Sequence, residues 1–451
     1  MIGSSLSRWT MAFFTGAVIF LIAAECLMVA GYGFPAMPAE APETLLLVHT
    51  VTIGWLSLLM CGALLQFVPV LVAQPLRDEI LVLPALLCLL AGLTSLLAGF
   101  LGLTGMLDTD IPFLLIGGCL LPIGFGLVLW TLGRTLWQAR PLPLPARFVA
   151  VGLTCLAATF LLGTFFAHIL SGLISDAVMI DFRTKVLPVH AAAGFGGWLT
   201  FTAIGVSYRL LPMFMLAPDA ERTTNHIVWW SGSIALLSII MGAPVEFILA
   251  GSARIASVIA GLSAMVALVC YGFDLFFFYR NRKRRNIELN SKSAIGAFAA
   301  LYLSAALLLS LLATGTFANH AGALIYLVAF GWLTGLGLSQ LYKIVPFLTW
   351  LECYGPVMGR KPTPRVQDLM VERRDGPWFV LYFAGLLGGT VALLADAPNL
   401  FRITAAMTLL ATAAIVIELV LARRLFNVAA AVRFPEGTTR PHLFLPAIRN
   451  H

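Results

Sequence analysis

Gly54-Trp55-Leu56, Gly197-Trp198-Leu199 and Gly331-Trp332-Leu333 are three copies of one stretch, each followed by a proline (Pro69, Pro212, Pro346) fourteen residues after its tryptophan. Apolar residues dominate the interval, so one helix pattern is used three times. Gly62, Gly205 and Ser339 share a further offset from the tryptophan, and Gln66, Arg209 and Lys343 share another. Small residues at matched offsets are what close packing of membrane helices requires. A histidine stands upstream of each copy: His49, His190 and His320.

The 451-residue chain is 60% hydrophobic and only 11% charged. Its mean hydropathy is +0.94, far outside the soluble range. A bilayer crossing needs about 20 apolar residues. Twelve segments qualify: 12–33, 45–71, 80–106, 112–137, 147–174, 187–216, 227–249, 253–279, 294–316, 322–350, 377–396 and 401–425. The expected fold is an all-α integral membrane bundle of twelve transmembrane helices over residues 1–425, with a tail of little order at 426–451. The motif falls on the second, sixth and tenth segments (45–71, 187–216, 322–350), separated by 143 residues and then 134 from tryptophan to tryptophan. Four crossings lie between successive copies, so all run the same way. Parallel repeats imply a pseudo-three-fold axis along the membrane normal.

Loop charges orient the bundle, because Lys and Arg are retained on the cytoplasmic side. Arg134, Arg140 and Arg147, the run 280–285, and Arg360, Lys361, Arg365, Arg373 and Arg374 fall on one side, with both termini; Glu40, Glu43, Asp108 and Asp110 fall on the other. The expected location is the bacterial inner membrane, multi-pass, with both termini cytoplasmic. The formal net charge of +7 follows from this bias, so the basic run reads as a lipid-headgroup anchor and no nucleic-acid partner is expected. The first segment lacks a small-residue cleavage pattern and reads as a retained helix. Seven scattered cysteines without a CxxC argue against a disulfide framework or a thiolate metal site.

Four histidines, His49, His168, His190 and His320, map to the outer half of the bundle. Ionisable residues at membrane depth mark functional sites, and neutral imidazole is the commonest metal ligand. A bis-imidazole haem needs two such rings from different helices, each oriented through its second nitrogen. His49 is the best single candidate, opposed by His320 or His190. The three stand twelve (His320), eight (His190) and six (His49) residues before their tryptophans. His320 should therefore sit about 9 Å nearer the surface than His49. Arg183, Lys185, Arg254 and Arg402, read as outer-loop cations, are candidates for haem propionates. Glu25 and Glu418 are intramembrane carboxylates, either proton-relay members or structural groups. Arg209 and Lys343 read as cations snorkelling to headgroups.

The stretches His49-Thr-Val-Thr-Ile-Gly-Trp55 and His190-Ala-Ala-Ala-Gly-Phe-Gly-Gly-Trp198, set in twelve segments, resemble the catalytic subunit I of haem–copper oxidases and nitric oxide reductases over residues 12–425. The resemblance implies that His49 binds a low-spin haem and that His190 approximates a copper ligand. The family's histidine pair on the seventh helix is missing, where the chain reads Val228-Trp229-Trp230-Ser231-Gly232-Ser233, and the tenth has only His320. The expectation is thus a divergent membrane haem protein holding haem b, with an electron-transfer or nitric-oxide-linked respiratory role. Oxygen or nitric oxide reduction at a complete copper site is not expected. Copper, if bound, would use His49, His168, His190 or His320. The resemblance also implies a periplasmic or membrane electron donor and a second copy or respiratory subunit as partner, besides the bilayer. The alternative reading is a non-redox transporter, or a metal or haem delivery and assembly protein with a transient site at His168 and His190.

Overall fold

The computed structural model describes residues 9–219, 221–438 and 440–443. Among them, twelve helices are long and apolar enough to cross a membrane. These are α1 Thr10–Ala30, α2 Pro42–Val72, α3 Glu79–Leu103, α4 Phe113–Gln138, α5 Leu144–Leu170, α6 Ala177–Met215, α7 Thr223–Ala250, α8 Arg254–Arg280, α9 Leu289–Thr314, α10 Phe317–Val357, α11 Glu372–Leu394 and α12 Pro398–Arg423. The described chain contains no strand. In lipid a helix satisfies its own backbone, which is why so apolar a chain takes this form. Left-handed glycines end α1, α7 and α9 at Gly31, Gly251 and Gly315, where a Cβ would be strained.

Helix α6 starts ten residues before the expected position 187. Asp176 accepts hydrogen bonds from the amides of Val178 (3.0 Å) and Met179 (3.1 Å) and so nucleates the helix early. Arg183 and Lys185, read from sequence as loop cations, accordingly stand on a helix. Arg254 and Arg402 are likewise helical, in the first turns of α8 and α12.

The chain forms two compact units. One comprises Met1–Ala63 and Glu288–His451, and the other Leu64–Ile287. In the first, α1 packs on α2 and α12, α9 on α10, and α11 on α12. In the second, α4 packs on α3 and α5, α5 on α6, and α7 on α8. The motif helices α2, α6 and α10 are the most buried, at 61%, 56% and 67% of the apolar window against at most 44% elsewhere.

Packing explains the glycine before each tryptophan. A Cβ on Gly54 would lie 2.7 Å from the Phe20 Cβ of α1, and one on Gly331 would lie 2.7 Å from the Ala300 Cβ of α9. On Gly197 it would strike Cys155 of α5. In each case the preceding motif-free helix crosses where only hydrogen fits. Gly62 and Gly205 serve the same crossing one step along, against Phe13 of α1 and Phe148 of α5.

Each motif also contains π-helical turns: Thr50–Ser57, Ala192–Phe201 and Leu327–Thr334. Their tryptophans Trp55, Trp198 and Trp332 are at most 1% exposed. Side-chain hydroxyls fit the wide turn. Ser57 donates to the Thr52 carbonyl at 2.7 Å and Thr334 to the Ala329 carbonyl at 2.8 Å, five residues back in both cases. Within the first unit Thr334 also accepts the Trp55 indole N–H at 2.8 Å.

At the proline ends of α6 and α10 a tyrosine is tied to a buried aspartate. Tyr208 donates to Asp274 at 2.8 Å, and Tyr342 to Asp375 at 2.5 Å. Arg222 pairs with Asp274 at 2.9 Å, and Arg374 with Asp375 at 3.1 Å. The cations expected to snorkel are instead paired: Arg209 with Asp219, and Lys343 with Glu288 at 2.5 Å.

After residue 425, where little order is expected, the described residues 426–438 and 440–443 make defined contacts. Val428 joins Cys353, Tyr354, Leu369, Ala422 and Leu425 in a small apolar core. The segment includes a short helix, α13 Ala430–Arg433. Tyr354 donates to the Arg433 carbonyl (2.8 Å), Lys361 pairs with Glu436 (2.9 Å), and Arg423 donates to the His442 carbonyl (2.7 Å). Residues 439 and 444–451 of the expected tail lie outside the described residues.

Candidate functional site

His49 is the last residue of α2 before its π-helical turns. The Leu45 carbonyl lies 2.7 Å from its Nδ1. A carbonyl accepts only, so Nδ1 carries the proton and the lone pair resides on Nε2. The ring is half-buried. This is the arrangement by which a metal-binding histidine is oriented through its second nitrogen.

His190 stands two residues before the π-helical turns of α6. Its Nδ1 lies 3.0 Å from the Thr159 carbonyl of α5, which fixes the same tautomer. Phe166 meets the ring edge-on at 5.3 Å between centroids. Gly163 makes room, since a Cβ there would lie 3.2 Å from the His190 Cε1. Three residues of α5 thus aim this imidazole.

His320 sits in the first turn of α10, half-buried, and its Nδ1 has no hydrogen-bond partner among the described residues. It precedes the π-helical turns by seven residues where His49 precedes them by one, which maintains the offset of about 9 Å. The place that His49 holds on α2 is taken on α10 by Tyr326. Tyr326 is 6% exposed, and its hydroxyl lacks a hydrogen-bond partner among the described residues. Sequence reading misses it because it follows histidines; counting back from the tryptophan finds it. His168, half-buried, is near the end of α5.

His49, His320 and Arg402 belong to the first unit, and His168, His190, Arg183 and Lys185 to the second. Lys185 pairs with Asp181 at 2.5 Å and lies 5.0 Å from the Phe247 ring centre. The Arg402 Nε donates to the Val29 carbonyl at 2.9 Å. Both cations are thus committed to contacts within their own unit. Among the described residues no three His, Cys, Asp or Glu side chains converge as a metal site. Copper sites use three or more protein ligands; a bis-imidazole haem uses two. Taken singly, the imidazoles of His49 and His190 each have the tautomer that leaves Nε2 free of its proton.

The second unit also holds a cavity of about 340 Å³ beside the proline end of α6, whose lining includes Tyr208, Arg209, Asp219, Glu221 and Asn225.

The chain is therefore a multi-pass helical membrane protein with backbone-oriented histidines on its most buried helices. No protein-family model matches it, and no curated protein matches its sequence.

Proposed function

We propose that this is an inner-membrane haem protein, with both termini cytoplasmic, that binds b-type haem through His49 and serves electron transfer or nitric-oxide-linked respiration. The observation that carries the reading is the 2.7 Å contact of the His49 Nδ1 with the Leu45 carbonyl. It holds the ring of a membrane-embedded histidine in one tautomer, with Nε2 as the ligating nitrogen. His320, in the same unit as His49, and His190, held in the same way by Thr159 in the second unit, are the two candidates for the second ligand. When bound, the haem supplies one-electron redox chemistry. The protein contributes the fixed His49 imidazole and an apolar surround that sets dielectric and excludes water.

The test is the absorption spectrum of the purified protein, oxidised and reduced. A Soret band with a sharp reduced α-band is expected, lost in His49→Ala. Comparison of His190→Ala with His320→Ala identifies the partner. Protein made with ample haem supply that shows a featureless visible spectrum overturns the reading.

A second reading, a non-redox transporter, is favoured by the charged cavity at the end of α6. A substrate-dependent thermal shift in a colourless protein supports it.

A further inference from the structure

Four carboxyl side chains are buried among the described residues: Glu25, Asp274, Asp375 and Glu418. Three have an arginine. Arg222 pairs with Asp274, and Arg374 with both Asp375 and Glu418. Glu25 of α1 has none.

Glu25 is 0% exposed. Its Oε1 accepts a hydrogen bond from the Thr412 hydroxyl of α12 at 2.9 Å, and its Oε2 has no hydrogen-bond partner among the described residues. The titratable side chains on the elements packed around it are few. On α2 they are Glu43, His49 and Cys61. On α12 they are Arg402, which donates to the Val29 carbonyl, Glu418, bound to Arg374, and Arg423, paired with Glu352. Tyr326 of α10 and Tyr382 of α11 lie within electrostatic range of Glu25. Tyr382 donates to the Phe330 carbonyl at 2.7 Å. The Tyr326 hydroxyl has no partner among the described residues and stands where a Cβ on Gly389 would come within 2.8 Å.

A carboxylate needs several donors or a cation to replace its lost hydration, and one threonine hydroxyl does not suffice. A neutral acid needs far less. We infer that Glu25 is a proton-binding site inside the first unit, holding its proton on Oε2, with the Tyr326 hydroxyl as a second proton-bearing group in the same apolar surround. The step is protonation alone. A proton adds to the carboxylate, an O–H bond forms on Oε2, and no electron moves. Thr404, Thr408 and Thr412 recur every fourth residue on α12, all buried. They form a hydroxyl-bearing face between Glu25 and the Pro398 end of that helix. The inference is independent of haem binding.

Infrared spectroscopy of the purified protein at neutral pH tests it. The carbonyl stretch of a protonated carboxylic acid is expected above the amide I band, downshifted in D2O and absent from Glu25→Gln. Thr412→Val should move the band upward by removing the hydrogen bond, and Glu25→Asp should restore a band at a new position. If Glu25→Gln fails to fold, the Thr412→Val shift carries the test. A spectrum unchanged by either substitution overturns the proposal. So does a band that neither exchanges in D2O nor fades reversibly as pH rises, which marks a sealed structural acid.

Discussion

At His49 one backbone carbonyl decides which nitrogen of the ring can act as a ligand. The histidine is plain in the sequence, and its tautomer is not, because the partner is a carbonyl that every residue owns. Tyr326 was hidden for the opposite reason: the position is fixed by register, and the residue type differs from that in the other copies. Outside the membrane spans, Asp368 is a residue with a testable pH dependence. Its carboxylate accepts from the Arg365 side chain at 2.9 Å and from the Arg365 amide at 2.8 Å. The Arg365 hydrogen bonds hold the Asp368 carboxyl below the usual carboxylate range. A depressed group adds stability that is present above its unfolded value and is lost as pH falls through the folded one. The fold around residues 366–369 should therefore loosen in acid. Hydrogen exchange there is expected to rise as pH drops below the carboxylate range, once corrected for intrinsic rate. Asp368→Asn should be looser at neutral pH and flat across the same interval.

Among the elements, the number and order of the twelve helices follow from apolar run length, while some ends do not: α10 runs Phe317–Val357 where 322–350 is expected, and α11 starts at Glu372 where 377 is expected. The early start of α6 depends on one capping aspartate. The π-helical turns were illegible because the residues of Thr50–Ser57 fit an α-helical pattern equally well. In the first and third copies hydroxyls reach five residues back across the wide turn, a geometry that composition does not display. The motif glycines were legible, since offset and size alone indicate close approach. A pair of substitutions separates packing from propensity. Gly54→Leu drives its side chain into Phe20 and should cost about 1–3 kcal/mol by overpacking. Gly261 of α8 would meet nothing within 4 Å, so Gly261→Ala should gain about 0.5–1 kcal/mol through backbone entropy. Thermal unfolding in detergent measures both. Equal effects at the two sites would contradict the close crossing of α1.

For the whole molecule, hydropathy is sufficient for the number of spans, while the partition into two units is not, because it depends on contacts between segments remote in sequence. Nor is the docking of Val428, Arg433 and Glu436 visible, where proline and charge suggest a loose end. Val428 supplies the apolar anchor, and Arg423 and Tyr354 grip backbone carbonyls. The orientation proposed from loop charge gives a direct expectation. A reporter enzyme that folds only outside the cytoplasm should be active when inserted at residue 107, between α3 and α4, and inactive at residue 284, between α8 and α9. The reverse pattern would invert the bundle.

The first unit is assembled from the two ends of the chain, and this sets an order of events during synthesis. Glu25 and Thr412 are separated by 387 residues. Helix α1 therefore leaves the ribosome long before the helix that satisfies its carboxyl exists. The second unit, continuous from Leu64 to Ile287, has all its segments in hand first. Until α12 arrives, the Glu25 carboxyl of α1 lacks the hydroxyl that donates to it, so the first unit closes only when the last membrane helix has been made.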